Sequence, residues 1–191
     1  MLRLLTFLLP FLLITLSASH PSDAFARDNR NKCDKNAVFT LHDINYSSYI
    51  IYSTPAHLAV AQGHIEFNLT NTDVPYTTHC SAYSSQVFNF FYGNIVYQCD
   101  APTGEGVTAA SSANFTFSEP DGVFNVNQTW SCSQHRKTVN LLGVGSGKAT
   151  LSCQTTTWTN PNWVIGEIYS NTSTTCKPAE LQITPKVTKI N

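Results

Sequence analysis

Six cysteines, Cys33, Cys80, Cys99, Cys132, Cys153 and Cys176, follow an apolar N-terminal stretch and are spread over the rest of a 191-residue chain. Their number is even and no two form a C-x-x-C pair. That pattern fits three structural disulfides in an oxidising compartment better than a metal cluster or a redox site. The opening stretch, MLRLLTFLLPFLLITLSASH, has the layout of a secretory signal peptide: Arg3, an apolar run from Leu4 to Leu16, then small residues. The run is too short for a membrane-spanning helix, which needs roughly 20 residues. Cleavage fits before His20 and also before Arg27; the first is preferred because small residues directly follow the run. The expected organisation is a signal peptide over 1–19, a short disordered lead-in over 20–32, one β-barrel domain over 33–184 and a C-terminal tail over 185–191. Such a chain is secreted and extracellular.

Charge narrows the partners. Asn36 to His135 contains no Lys or Arg, and all eleven basic residues lie in the leader, in the 27–35 segment or after His135. A nucleic-acid binder needs a basic face to neutralise phosphates, and the central chain cannot supply one. An anionic membrane surface is disfavoured on the same ground. Surface polarity then falls to Ser, Thr, Asn and Gln, and to sugar. Five N-x-[ST] sequons, at Asn45, Asn68, Asn114, Asn127 and Asn171, mark the expected glycosylation sites.

Beyond Cys33 the apolar residues recur with period two, the signature of half-buried strands. Ile65, Phe67 and Leu69 alternate with Glu66, Asn68 and Thr70; Phe115 and Phe117 alternate with Asn114 and Thr116; Phe124 and Val126 alternate with Asn125 and Asn127; Ala149, Leu151 and Cys153 alternate with Thr150 and Ser152. Asn68, Asn114 and Asn127 fall on the polar phase, where a glycan projects to solvent. Glu119-Pro120-Asp121-Gly122 is a hairpin signal. Phe91-Tyr92-Gly93-Asn94-Ile95 reads as a tight turn between aromatic strands, Pro102 to Gly106 as a loop, and Gly143-Val144-Gly145-Ser146-Gly147 as a hairpin turn. WVIGEIYS (163–170) and LQITPKV (181–187) read as the final strands, with Pro185 suited to an edge. SSYIIYSTPAHLAV (47–60) is ambiguous. The fold expected is all-β: a single disulfide-bonded barrel or sandwich of roughly eight to eleven antiparallel strands.

Sequence alone leaves the disulfide connectivity open, but local geometry ranks it. Cys80 and Cys99 flank the segment VFNFFYGNIVY, Cys132 and Cys153 flank the glycine-rich turn, and Cys33 with Cys176 would then tie the ends of the domain. That leaves no thiol for chemistry, or for a covalent dimer, so a monomer is expected.

No motif names a reaction. GVGSGKAT lacks the first glycine and the Ser or Thr of a phosphate loop, with Leu142 and Ala149 in those places. A mature N-terminus at His20, with a partner among His42, His57, His64, His79 and His135, would suit copper, but Pro21 follows at once and nothing fixes the terminus. The histidines lack metal-ligand spacing, and there is neither a G-x-S-x-G elbow nor H-E-x-x-H. A glycosidase needs two carboxylates about 5 to 10 Å apart, whereas Asp100, Glu105, Glu119 and Asp121 sit in expected turns. No cofactor, metal or catalytic residue is assigned, and the chain reads as a non-enzyme. Most aromatics belong to the core. Phe90 and Phe91 are adjacent, however, and on a strand they point to opposite faces. One of them, with Tyr92 beside it, is expected to be exposed or to line a pocket for an apolar ligand or a partner protein.

Several stretches taken together carry a resemblance: HIEFNLTNTDVPYTTHCSAYSS, with Phe67 ahead of Cys80-Ser81-Ala82; YQCDAP, where an aromatic strand runs into Cys99; ANFTFSEPDGVFNVNQTWSC, ending in Gln128 to Cys132; and GKATLSC, ending at Cys153. Over about residues 60–155 the chain resembles the fungal Alternaria-major-allergen-like family of small secreted proteins. The resemblance implies a compact β-barrel with two local disulfides, which would match Cys80–Cys99 and Cys132–Cys153. It further implies an allergen-like effector or elicitor that contacts a host plant protein or a small phenolic ligand, with no established enzyme activity. Two other classes stay open from the residues: a secreted carbohydrate-active enzyme or sugar-binding module, and a structural cell-wall protein.

Overall fold

The computed structural model describes Cys33, residues 36–134 and residues 137–190. The expected signal peptide and lead-in lie outside the described residues, as do His20 and His135. Eleven strands follow in order: β1 Phe39–Thr54, β2 His57–Asn71, β3 Thr78–Ser84, β4 Tyr97–Gln98, β5 Ser112–Ser118, β6 Val123–Gln134, β7 Lys137–Lys148, β8 Cys153–Thr159, β9 Ser170–Cys176, β10 Ala179–Ile183 and β11 Lys186–Ile190. Six of them make one sheet in the order β3-β2-β1-β9-β8, with β10 also on β1; the others make a second sheet in the order β11-β7-β6-β5-β4. Every pairing is antiparallel. The result is two sheets around one core, an open sandwich rather than a closed barrel.

The ambiguous 47–60 stretch is the tip of the long β1–β2 hairpin, closed at Pro55 and Ala56. Along its other edge β1 takes two partners in turn, β10 over Phe39 to Ile44 and β9 over Ser47 to Tyr52. The pairing shifts register at Asp43, which sits at φ 53. An extra residue in the left-handed region is a bulge, and Asp tolerates that region better than most residues.

The alternation read from the sequence is the inward phase. Ile65, Phe67, Leu69, Phe115, Phe117, Phe124 and Val126 are all buried, together with Phe39, Leu41, Ile44 and Trp130. Their rings meet edge-on across the sandwich, Phe67 against Phe115 at 4.9 Å and Phe39 against Trp130 at 6.1 Å, and each fully buried side chain of this size contributes about 1.5–3 kcal/mol. Asn71 and Gln128 are buried among them and satisfy each other, Asn71 Nδ2 donating to Gln128 Oε1 at 2.9 Å.

Four expected local features are corrected. Gly143, Gly145 and Gly147 do not make a turn; they lie inside β7. A Cβ on Gly143 would stand 2.6 Å from Phe39, and one on Gly145 would stand 2.5 Å from Ile183. The glycines therefore mark where the opposite sheet presses on β7, and β6 and β7 instead turn back between Gln134 and Lys137. Of the strand expected over 149–153, residues 149–152 are the connection from β7 to β8 and Cys153 opens β8, and 163–169 is a loop ahead of β9. Pro185 falls between β10 and β11, which belong to different sheets. Residues 186–190 pair with β7.

The disulfides follow from that correction. Cys80–Cys99 is formed as the local reading expects, but the other bonds are Cys33–Cys132 and Cys153–Cys176. Cys132 lies opposite Val139, near the start of β7, while Cys153 lies beyond its far end; the ten residues from Val139 to Lys148 span roughly 30 Å of strand. A bond between Cys132 and Cys153 is out of reach. Cys153–Cys176 joins directly opposed residues of β8 and β9, whereas Cys80–Cys99 and Cys33–Cys132 each tie a residue of one sheet to a segment leading into or out of the other. No described cysteine is free.

The glycine stripe yields a test. Gly143→Ala is expected to lower the unfolding free energy by about 1–3 kcal/mol through overpacking, measured by denaturant unfolding. Val144→Ala, at the exposed neighbour, is expected to stay within about 0.5 kcal/mol.

Candidate functional site

Two places on the sandwich combine unusual geometry with usable chemistry. The first is the segment between β3 and β4, residues 85–96. It holds no charged side chain and forms no strand, only a single bridge from Tyr92 to Ser118. Phe90 and Phe91 are 3% and 1% exposed, so the expectation that one of them faces outward is corrected. The segment is not a strand, so adjacent side chains need not diverge, and both rings point inward. Phe90 covers Gly63 and Phe91 packs edge-on against Tyr46 at 6.3 Å. Tyr92 is 46% exposed.

The residue turned outward is Phe88, 89% exposed at φ 78. A bulky side chain in the left-handed region is a real outlier, costing of order 1–3 kcal/mol. The Tyr92 hydroxyl holds it there: it donates to the Val87 carbonyl at 3.0 Å and accepts from the Asn89 N–H at 3.2 Å, one bond on each side of Phe88. The Phe90 N–H donates to Glu119 Oε2 at 2.9 Å and anchors the C-terminal side of the loop on the β5–β6 turn. Val87, Ile95 and Val96 are exposed around it. No period in the sequence separates Phe88 from its aromatic neighbours, because its exposure depends on a backbone angle.

The second place is a cleft of about 440 Å³ at the end of the sandwich, between the β5–β6 turn and the inner side of β8 and β9; its lining includes Tyr46, Glu119, Asp121, Lys148, Thr155 and Thr174. The Asp121 carboxylate accepts from the Ser118 hydroxyl at 2.9 Å. Tyr46 is buried, and its hydroxyl makes no hydrogen bond of ordinary geometry. Burial raises its pKa far above the ordinary tyrosine value, with Ser48 and Glu119 near enough to modify the effect. Burial also raises Tyr76 and Tyr97.

The remaining candidates are dispersed. His42 bonds Glu180 and Thr70, His79 bonds Asp100 at 2.8 Å, and His57 bonds Thr54. His64 stacks on Tyr83 with ring centres 4.2 Å apart. Among the described residues no group of three or more His, Cys, Asp or Glu is arranged to hold a metal ion, and no helix is long and apolar enough to cross a membrane. The sequon asparagines Asn45, Asn68, Asn114, Asn127 and Asn171 stand on β1, β2, β5, β6 and β9, each partly exposed. Asn114 and Asn127 are directly opposed, with Asn127 Nδ2 donating to Asn114 Oδ1 at 3.0 Å.

Residues 44–176 match the family described as Alternaria alternata allergen 1. The match covers more than two thirds of the chain, and the chain belongs to that family. No match was found among curated proteins or among solved structures. Family membership and three disulfides are consistent with an extracellular, allergen-like protein.

The tyrosines give a pH dependence. Tyr46, Tyr76 and Tyr97 hold their protons past the range near pH 10 where an unfolded chain releases them. The unfolded state then binds fewer protons than the folded one, so stability falls as pH rises beyond about 10. Unfolding midpoints measured across that range are expected to drop, and Tyr46→Phe is expected to flatten the drop. Full ionisation of all three at pH 10 in the folded protein would contradict it.

Proposed function

We propose that this member of the Alternaria alternata allergen 1 family is a secreted, non-enzymatic binding protein that engages a plant host protein through the loop bearing Phe88. In this reading residues 1–19 are removed as a leader, residues 20–32 lead into a single domain, glycans occupy several of the five sequons, and the protein acts as a monomer. The observation that carries it is Phe88 itself, an aromatic ring 89% exposed on a backbone that costs energy to hold. Strain kept at an exposed apolar residue supports a role in contact, because the Phe88 ring itself is not buried in the core. The surrounding patch of Val87, Tyr92, Ile95 and Val96 suits an apolar pocket on a partner, with the ring as its central anchor.

The test uses protein purified from the medium of secreting cells, its intact mass reporting leader removal and glycans. Infiltrated into leaves, it is expected to provoke cell death or altered defence signalling, and Phe88→Ser is expected to lose that response while keeping its thermal stability. A wild-type protein without any response, or a Phe88→Ser variant with an undiminished one, would count against the proposal.

A second reading rests on the cleft. The Tyr46 ring at its base, with Glu119 and Lys148 on its walls, supports a small phenolic ligand whose ring packs there and whose hydroxyls meet both charges. Calorimetric titration with catechol is expected to show binding that Lys148→Ala weakens about tenfold, near the 1.4 kcal/mol of one hydrogen bond. No heat with the wild-type protein would end this reading.

A further inference from the structure

The outer face of the sheet β3-β2-β1-β9-β8 carries a line of aromatic side chains. Residues directly opposed on neighbouring strands share a face, and so do residues two apart on one strand. Tyr83 is opposed to His64, which is opposed to Ser47, two residues before Tyr49 on the same face of β1. Tyr49 is opposed to Ser173, two residues from Asn171, and Asn171 is opposed to Trp158. Tyr83, Tyr49 and Trp158 therefore lie on one face along one diagonal. Each step of that diagonal crosses two strand gaps and two residues of strand length, so the rings follow at equal intervals of about 12 Å. Such an interval is close to two sugar units of an extended β-linked chain.

The rings are available. Tyr83 is 61% exposed, Trp158 is 53% exposed, and Tyr49 is partly exposed with its hydroxyl donating to Gln62 Oε1 at 3.0 Å. The stack on His64 covers one side of the Tyr83 ring; β3 is the edge of the sheet, so no strand stands beyond the other side. Beside that line, on β8 and β9, the face dips into a groove of about 350 Å³ along the Cys153–Cys176 bond, whose lining includes Gln154, Thr156, Ser173, Thr175 and Lys177. Amides and hydroxyls donate and accept without charge. No Lys, Arg, Asp or Glu lies in the strand rows that the three aromatics occupy; Glu66 stands one row away, 3.9 Å from the His64 ring, and Lys177 lines the end of the groove away from Trp158.

We propose that this face binds an extended, neutral, β-linked polysaccharide of the cell-wall type, with Tyr83, Tyr49 and Trp158 stacking on successive disaccharides and the groove side chains bonding their hydroxyls. Evenly spaced rings suit a repeating ligand, and a neutral polar floor suits a hydroxylated one. A protein hot spot concentrates its aromatics at one centre, whereas these are spread in a line. A lipid surface offers nothing to the buried side of an amide- and hydroxyl-lined groove. This face is separate from the Phe88 loop and from the cleft, so the proposal does not depend on either reading above.

The test is co-sedimentation of the secreted protein with insoluble cellulose and with chitin, using yeast α-mannan beads as the unlike glycan. N-glycans are first trimmed enzymatically to their innermost sugar, because Asn171 lies directly beside Trp158. The protein is expected to sediment with cellulose or chitin and not with mannan. Trp158→Ala and Tyr83→Ala are each expected to weaken binding at least tenfold, Trp158→Tyr to restore most of it, and Phe88→Ser to leave it unchanged. Failure to sediment with either β-linked polymer overturns the proposal. So does sedimentation that survives both alanine variants, or that Phe88→Ser abolishes, since binding would then lie elsewhere. Unaltered unfolding midpoints show that the variants are folded.

Discussion

Two β-sheets share one core only if their facing side chains interdigitate, and where this sandwich closes most tightly β7 contributes no side chains at all. Gly143, Gly145 and Gly147 leave room for Phe39, Trp130 and Ile183 to press against the β7 backbone. Interiors are packed to crystal-like density, so these absences are as specific as any contact. They set how near β1 and β10 come to the second sheet, and with that the depth of the aromatic core. Because β7 runs unbroken through the glycines, Cys132 and Cys153 are carried to opposite ends of β7, and the disulfide pattern follows from where β7 ends.

Much of the architecture was legible in the sequence. Period-two runs such as Ile65-Phe67-Leu69 and Phe115-Phe117 announce their buried face through local spacing alone, and Glu119 to Gly122 announces its hairpin through turn chemistry. What was misread depends on partners distant in the chain. A glycine-rich stretch reads locally as a turn, and only Phe39, about a hundred residues away, shows why β7 needs it. The loop over 85–96 failed differently. Its seven aromatic and β-branched residues suggest strands, but Phe88 sits at a positive φ set by the Tyr92 hydroxyl, which no alternation encodes. Cys33 found Cys132 because the segment ahead of β1 reaches the end of β6, a matter of three-dimensional neighbourhood.

The candidate surfaces divide by chemistry. The Phe88 loop is apolar, uncharged and held in a costly conformation. The cleft over Tyr46 is small and carries both signs of charge. The outer face of the larger sheet is broad and rich in hydroxyls, with Glu66 and Lys177 bordering its line of aromatics. That a chain lacking Lys and Arg from Asn36 to His135 divides its surface this way follows from its composition: with few ions to spend, recognition falls to aromatic rings and uncharged hydrogen-bonding groups. The same scarcity gives the sequons their weight, because each glycan would add hydration that charged side chains supply elsewhere.

The bond between Cys33 and Cys132 spans 99 residues and encloses both cysteines of the Cys80–Cys99 pair. A chain that emerges N-terminus first exposes Cys33 long before its mate exists, while Cys80 and Cys99 pass by as nearer candidates. Joining thiols in order of appearance would link Cys33 to Cys80 and trap the wrong topology. Correct oxidation therefore has to wait until β1 through β6 have assembled around the core, which makes this bond a seal applied after folding and a natural checkpoint for quality control.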